Sequence, residues 1–274
     1  MNIVFFGAGS MAEAIISGWT ASPTLPPLSI CVTNKSDHEA LIRLKETYGV
    51  SLVSDSPEIL EQADYIVLAM KPKDAAEAFP LIKNRIPKNS TIISVLAGID
   101  IDTLSDFFTN QPIIRVMPNT SATIGKSATA ISHNALVTDT SIQLISELFR
   151  TIGSVEVVKD QMMHAVTALS GSGPAYIYYV TELLERAAME HGFTAEEARA
   201  LVLQTLDGAV SMMKETKQEP ATLRKRVTSP GGTTEAGLKA MAECGMEHAI
   251  LTGIDAATKQ SKVLGQNVKD SISR

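Results

Sequence analysis

Up to residue 158, short and nearly unbroken apolar runs alternate with stretches of helical spacing. The runs are NIVFFG (2–7), LSICVT (28–33), VSLVS (50–54), DYIVLAM (64–70), STIISVLA (90–97), PIIRVM (112–117), ATAISH (128–133) and SVEVV (154–158). Helical spacing fills 10–19, 37–48, 57–62, 74–84, 101–108 and 139–150. Runs of Val, Ile and Leu without polar alternation predict strands buried on both faces, and the helices between them predict a mostly parallel α/β sheet. The later runs lie closer together, which predicts antiparallel edges.

The pattern changes near residue 160, beyond which no run has strand character. Thr194 and Glu197 form a capping-box pair ahead of a long amphipathic stretch ending near Thr216. Residues 160–191 and 245–265 also carry helical spacing. The expected organisation is an α/β domain over 1–160 and an all-α domain over 161–274. No repeat period or low-complexity linker divides the chain further.

Composition narrows the function classes. The 274 residues are 45% hydrophobic and 20% charged, as in a soluble globular protein. A net charge of −6 argues against a broad cationic surface for nucleic acid. Cys31 and Cys244 form no CxxC pair, and the five histidines show no ligand spacing, so neither a disulfide framework nor a metal site is expected. The N-terminus lacks a basic leader, and the longest apolar runs are strand-sized. A cytoplasmic protein without a membrane segment is expected.

The first run ends in a pattern that carries chemistry. Gly7-Ala8-Gly9-Ser10-Met11-Ala12 reads GxGxxA between a strand and a helix. Gly7 permits the tight turn, Gly9 lets a pyrophosphate approach the backbone, and Ala12 lets the helix pack on the strand. The helix N-terminus then offers free N–H groups to the phosphates. A dinucleotide-binding domain of the Rossmann type follows.

NAD sites usually place a carboxylate at the end of the second strand. Here Asn34-Lys35-Ser36 stands there instead, a set suited to the 2′-phosphate of NADP. NADPH is therefore the expected cofactor, with NADH possible. Ser36 also reads as a helix cap with Glu39 completing a capping box, and both roles can coexist. Further along the predicted crevice, the strand ends offer Met70-Lys71-Pro72, Ala97 and Asn119-Thr120. Asn119 reads equally well as an Asx-type turn.

Two more glycine clusters lie in the helical half, Ser170-Gly171-Ser172-Gly173-Pro174 and Ser229-Pro230-Gly231-Gly232-Thr233-Thr234. Pro174 should kink or restart a helix, and Pro230 fits a helix start. Gly231 and Gly232 are expected to leave backbone N–H groups uncovered, a place that attracts a carboxylate. A helix corner needs only one glycine. Two glycines followed by two hydroxyls favour a binding loop.

GAGSMAEAI, AMKP, RVMPNT, ALSGSGPAY and VTSPGGTTEAGL, in this order and spacing, resemble the Δ1-pyrroline-5-carboxylate reductases from residue 3 to about residue 265. SPGGTT is the specific element. The resemblance implies NAD(P)H-dependent reduction of a cyclic imine to L-proline, the final step of proline biosynthesis. It also implies a homodimer built through the helical domain, commonly assembled into a larger ring, in which the substrate loop meets the cofactor through the dimer.

Carried onto this chain, the family pattern gives Gly7 to Ala12 the pyrophosphate and Asn34 to Ser36 the 2′-phosphate. Ser56 occupies a cofactor-side position that is often asparagine. Lys71, Pro72 and Ala97 fall on the nicotinamide side, and Met70 is a further cofactor-binding position. Gly231, Gly232, Thr233 and Thr234 fall on the substrate loop, with Thr234 as the catalytic group that hydrogen-bonds the ring nitrogen. The chain departs from the pattern at Ser121, usually proline, and over Lys217 to Glu219, where a glutamate and a histidine are common.

Two rivals remain at this level. Other NADP oxidoreductases, such as β-hydroxyacid dehydrogenases or deazaflavin-dependent NADP reductases, share the first domain but not SPGGTT. A nucleotide-sensing protein would keep Gly7 and Gly9 without needing a substrate loop.

Overall fold

A computed structural model describes residues 1–272. All eight apolar runs form strands: β1 (Asn2–Phe6), β2 (Ser29–Thr33), β3 (Ser51–Leu52), β4 (Tyr65–Leu68), β5 (Thr91–Ser94), β6 (Ile113–Met117), β7 (Ser127–His133) and β8 (Gly153–Val157). They make one sheet in the order β3-β2-β1-β4-β5-β6-β7-β8. Pairing is parallel from β3 to β6; β7 then runs antiparallel to β6, and β8 parallel to β7. The order reverses between β1 and β4, the switch point beside which doubly wound sheets bind nucleotides.

Helices α1 (Ser10–Ala21), α2 (His38–Tyr48), α3 (Ala75–Lys83), α4 (Ile101–Phe107) and α5 (Asp139–Arg150) cover the sheet. Two apolar clusters result. One packs Ile15, Ile16, Trp19, Leu44 and Phe149 with Phe5; the other packs Phe79, Ile82, Leu104 and Phe108 with Ile66 and Ile92. Residues 57–62, expected to be helical, form a 3-10 helix.

The helical half begins unevenly. A 3-10 turn at Asp160–Met162, α6 (Met163–Val166) and a π-helical turn at Thr167–Gly171 precede α7 (Gly173–Glu190). The helix thus restarts at Pro174, as its missing N–H requires. Then follow α8 (Ala195–Thr216), α9 (Pro220–Arg226), α10 (Thr233–Glu243) and α11 (Met246–Ile272). The capping box of Thr194 and Glu197 is present at the start of α8.

The chain divides into two compact units. One is Met1–Ser172 with the residues from Asp255 onward; the other is Gly173–Ile254. In the first, Gly265 of α11 meets the loop after β5 backbone to backbone. A Cβ on Gly265 would collide with the Gly98 carbonyl oxygen, and Gly98 itself has φ +86°. One turn earlier His164 Nδ1 lies 3.0 Å from Ser261 Oγ. In the second unit, no residue of α7, α9 or α10 is buried, and Ala198 alone is buried in α8. Among the described residues no helix is long and apolar enough to cross a membrane.

Candidate active site

The glycine loop after β1 is built by a close approach of two strands. Gly7 has φ +121° and donates its N–H to the Thr33 carbonyl at 2.8 Å. A side chain there would collide with the backbone of Ala69 and Met70 at the end of β4. Ala8 and Ala12 are buried, which seats α1 against the sheet. Gly9 is the N-cap of α1 and supplies no side-chain cap, and a Cβ on it would point into open space. The N–H groups of Ser10, Met11 and Ala12 are left without partners, since the first bond of the turn runs from Glu13 to Gly9. This open, donor-rich helix end at the switch point fits a pyrophosphate.

The segment after β2 is arranged differently from its sequence expectation. Asp37, not Ser36, caps α2, accepting from Ala40 N–H at 2.9 Å. Asp37 wins because a carboxylate one residue nearer the helix reaches the N3 amide directly. Ser36 is exposed, and its hydroxyl is not used by the helix. Asn34 Oδ1 accepts from Lys35 N–H at 2.8 Å. Lys35 Nζ is paired with Glu77 of α3, which sequence reading did not anticipate. The pairing holds the lysine pKa up, through the hydrogen bond and then the charge of Glu77.

The remaining crevice residues lie on the ends of the expected elements. Ser56 precedes the 3-10 turn with its hydroxyl not engaged in a cap. Met70 packs on the second cluster, Lys71 is exposed, and Pro72 opens a 3-10 turn. Ala97 is half-buried, next to Gly98 and its contact with α11. Asn119 is an Asx-type cap: Oδ1 accepts from Ser121 N–H at 3.1 Å, and Nδ2 donates to the Ser170 carbonyl at 3.0 Å. It ties RVMPNT to the SGSG segment, where a Cβ on Gly171 would meet the Met117 methyl at 2.8 Å.

A buried charge lies on β6. Arg115 is 2% exposed, with Nη1 3.1 Å from Asp160 Oδ1. The same oxygen accepts from Ser132 Oγ at 2.8 Å, and the other from Ile101 N–H at 3.2 Å. A charged residue inside an apolar strand run was the signal that such a partner exists.

In the second unit, α10 begins at Thr233, so Pro230 lies in the turn before the helix. Gly231 takes φ +71° and donates its N–H to Glu235 Oε2 at 2.8 Å, while Gly232 N–H donates to Ser229 at 2.9 Å. The glycine amides expected to be uncovered are therefore satisfied within the loop. The unpaired donors are the residues that follow directly, Thr233, Thr234 and Glu235, because the helix ladder starts with Ala236 to Gly232. Thr233 is exposed and Thr234 half-buried. Three adjacent N–H groups at a helix N-terminus, with two hydroxyls beside them, are suited to a carboxylate and a neighbouring polar atom.

Comparison with known proteins gives the arrangement its kinship. The family "pyrroline-5-carboxylate reductase dimerisation" matches residues 160–264, and "NADP oxidoreductase coenzyme F420-dependent" matches residues 2–98. The second match accounts for the rival oxidoreductase reading of the first domain; the helical half separates the two. Pyrroline-5-carboxylate reductase 2 of Bacillus subtilis is 46% identical over 261 residues, covering 95% of this chain and 94% of its own. A pyrroline-5-carboxylate reductase structure from Coxiella burnetii superposes with TM-score 0.86 at 35% identity, covering 96% of this chain and 98% of its own. The Plasmodium falciparum pyrroline carboxylate reductase with NADP bound gives 0.85 at 28% identity, over 97% and 98%. From the glycine turn at the switch point to the threonine-rich start of α10, the chain belongs to the pyrroline-5-carboxylate reductase family.

Proposed function

We propose that the protein reduces L-1-pyrroline-5-carboxylate to L-proline, completing proline biosynthesis, with NADPH as preferred donor and NADH as an accepted one. The observation that carries this reading is the start of α10, where three unpaired N–H groups adjoin the Thr234 hydroxyl. The substrate offers a matching pair of groups, a carboxylate and a ring nitrogen.

The N–H groups of Thr233 and Thr234, with the positive end of α10, hold the carboxylate. Gly231 and Gly232 shape the bend and line the bound ring. Thr234 Oγ1 hydrogen-bonds the ring nitrogen and fixes which face of the ring is presented. A bound reduced nicotinamide supplies the hydride that the imine carbon accepts. The nitrogen gains a proton and the C=N bond becomes C–N, so a group that holds the protonated nitrogen favours the reaction. Orientation and a prearranged hydrogen bond are the protein's contribution. Gly7 to Ala12 take the pyrophosphate, Asn34 to Ser36 the 2′-phosphate, and Ser56, Met70, Lys71, Pro72 and Ala97 line the rest of the cofactor.

The functional division falls near residue 160, with the dinucleotide domain before it and the substrate and dimerisation domain after it. The protein works in the cytoplasm as a homodimer through this helical domain, with the dimers assembling into a larger ring. The exposed apolar side chains of the helices support this. Ile177, Tyr178 and Tyr179 on α7 and Leu201, Leu203 and Met212 on α8 are each at least half exposed. So many large apolar side chains left exposed on two neighbouring helices call for a covering partner.

NADPH oxidation followed by absorbance with pyrroline-5-carboxylate, together with detection of proline, tests the reaction. Proline formed one for one with cofactor consumed is the expected result. A folded protein that binds NADPH but turns over no cyclic imine would return the nucleotide-sensor reading.

A further inference from the structure

The ion pair after β2 bears on how the chain chooses between its two cofactors. Lys35 and Glu77 are 42 residues apart, yet Lys35 Nζ lies 2.7 Å from Glu77 Oε1 and 2.6 Å from Oε2. NAD-preferring sites place a carboxylate at the end of the second strand to accept from the ribose. That strand end has none here, and α3 delivers one to the same place from beyond β4.

Both side chains are largely exposed, at 72% and 64%, so the pair is weakly held. A doubly charged phosphate outcompetes a single carboxylate for the ammonium. Once displaced, Glu77 would remain tethered by α3 beside the group that took its place. Asp74 adds a second negative charge near Lys35. A ribose with a free 2′-hydroxyl meets no such opposition, and a carboxylate beside it is an acceptor.

We propose that Glu77 is a specificity-determining residue that opposes the 2′-phosphate and keeps NADH acceptable. This rests on the reading of Asn34 to Ser36 as the 2′-phosphate site. The Coulomb repulsion of a carboxylate and a dianion about 6 Å apart in water, reduced by salt, corresponds to roughly three- to tenfold in relative affinity.

The test compares kcat/KM for NADPH and NADH in wild type, Glu77→Gln and Lys35→Ala, at low and high salt. Glu77→Gln should raise the NADPH-to-NADH ratio roughly three- to tenfold through a lower KM for NADPH, and the gain should shrink at high salt. Lys35→Ala should lower the ratio. If Lys35→Ala lowers the ratio but Glu77→Gln leaves it unchanged or lowers it, the role of Glu77 is overturned while the phosphate site stands. If neither substitution moves the ratio, the phosphate site itself lies elsewhere and both readings fall.

Discussion

Gly231 and Glu235 are joined by a single hydrogen bond, Gly231 N–H to Glu235 Oε2 at 2.8 Å, which closes the bend ahead of α10. In a capping box the residue at this helix position bonds back to the N-cap amide. Here the N-cap is Gly232, whose amide is already held by Ser229, so the glutamate reaches one residue further. The bond satisfies one amide, while those of Thr233 and Thr234 stay unpaired. Glu235→Ala should therefore lower kcat/KM for the imine about fivefold, the scale of one lost hydrogen bond. Glu235→Gln keeps an acceptor and should lose less; equal losses would mean that charge, not the bond, matters there.

Asp160 balances a buried cation. Asp160→Ala should destabilise the fold by about 3 kcal/mol, because Arg115 would keep its charge without a partner. Urea unfolding at fixed protein concentration measures it. An unchanged midpoint would mean that Arg115 is solvated where the fold shows it enclosed.

Gly265 permits backbone contact between α11 and the loop that holds Ala97. Gly265→Ala should cost about 1–3 kcal/mol by overpacking and lower the Tm, since the Gly98 backbone is what the new methyl meets. A neutral Gly265→Ala would show that α11 can slide along the loop without loss.

His164 gives the fold an acid-sensitive point. Burial, then the charge of Arg115, pushes its pKa below the usual histidine value of 6.5. The unfolded chain therefore takes up this proton first as pH falls, so the contribution is complete above about 6.5 and is lost below it. His164→Gln should flatten the decline of Tm between about pH 7 and 5. An identical slope in the variant would assign the decline to other groups.

The strands and the cofactor turn were legible because their signals are local. NIVFFGAG states both an apolar run and the glycines its turn requires, and Gly7 takes the positive φ of +121° that a tight turn asks for. The even apolar content of β4 and β5 likewise reports burial on two faces. What sequence hid was contact between distant segments. Ser36 looked like a cap because the pattern with Glu39 is correct in spacing, yet the helix starts one residue later, with Asp37 capping it through the Ala40 amide. Nothing local to Lys35 announces Glu77, and nothing local to Asn119 announces Ser170. At SPGGTT the open amides belong to Thr233, Thr234 and Glu235, just past the glycines expected to carry them, because Ser229 and Glu235 hold the two glycine amides. Arg115 was read only as part of the strand run PIIRVM, although a charge among apolar positions calls for a buried partner, which Asp160 supplies.

The assignment of Thr234 is the centre of the account, and steady-state kinetics of Thr234→Ala beside wild type tests it most directly. Turnover of pyrroline-5-carboxylate should fall roughly tenfold or more, by loss of about 1.5 kcal/mol of hydrogen bonding, with KM for NADPH nearly unchanged. Unchanged turnover would contradict the account, since the ring nitrogen would then be held by another group.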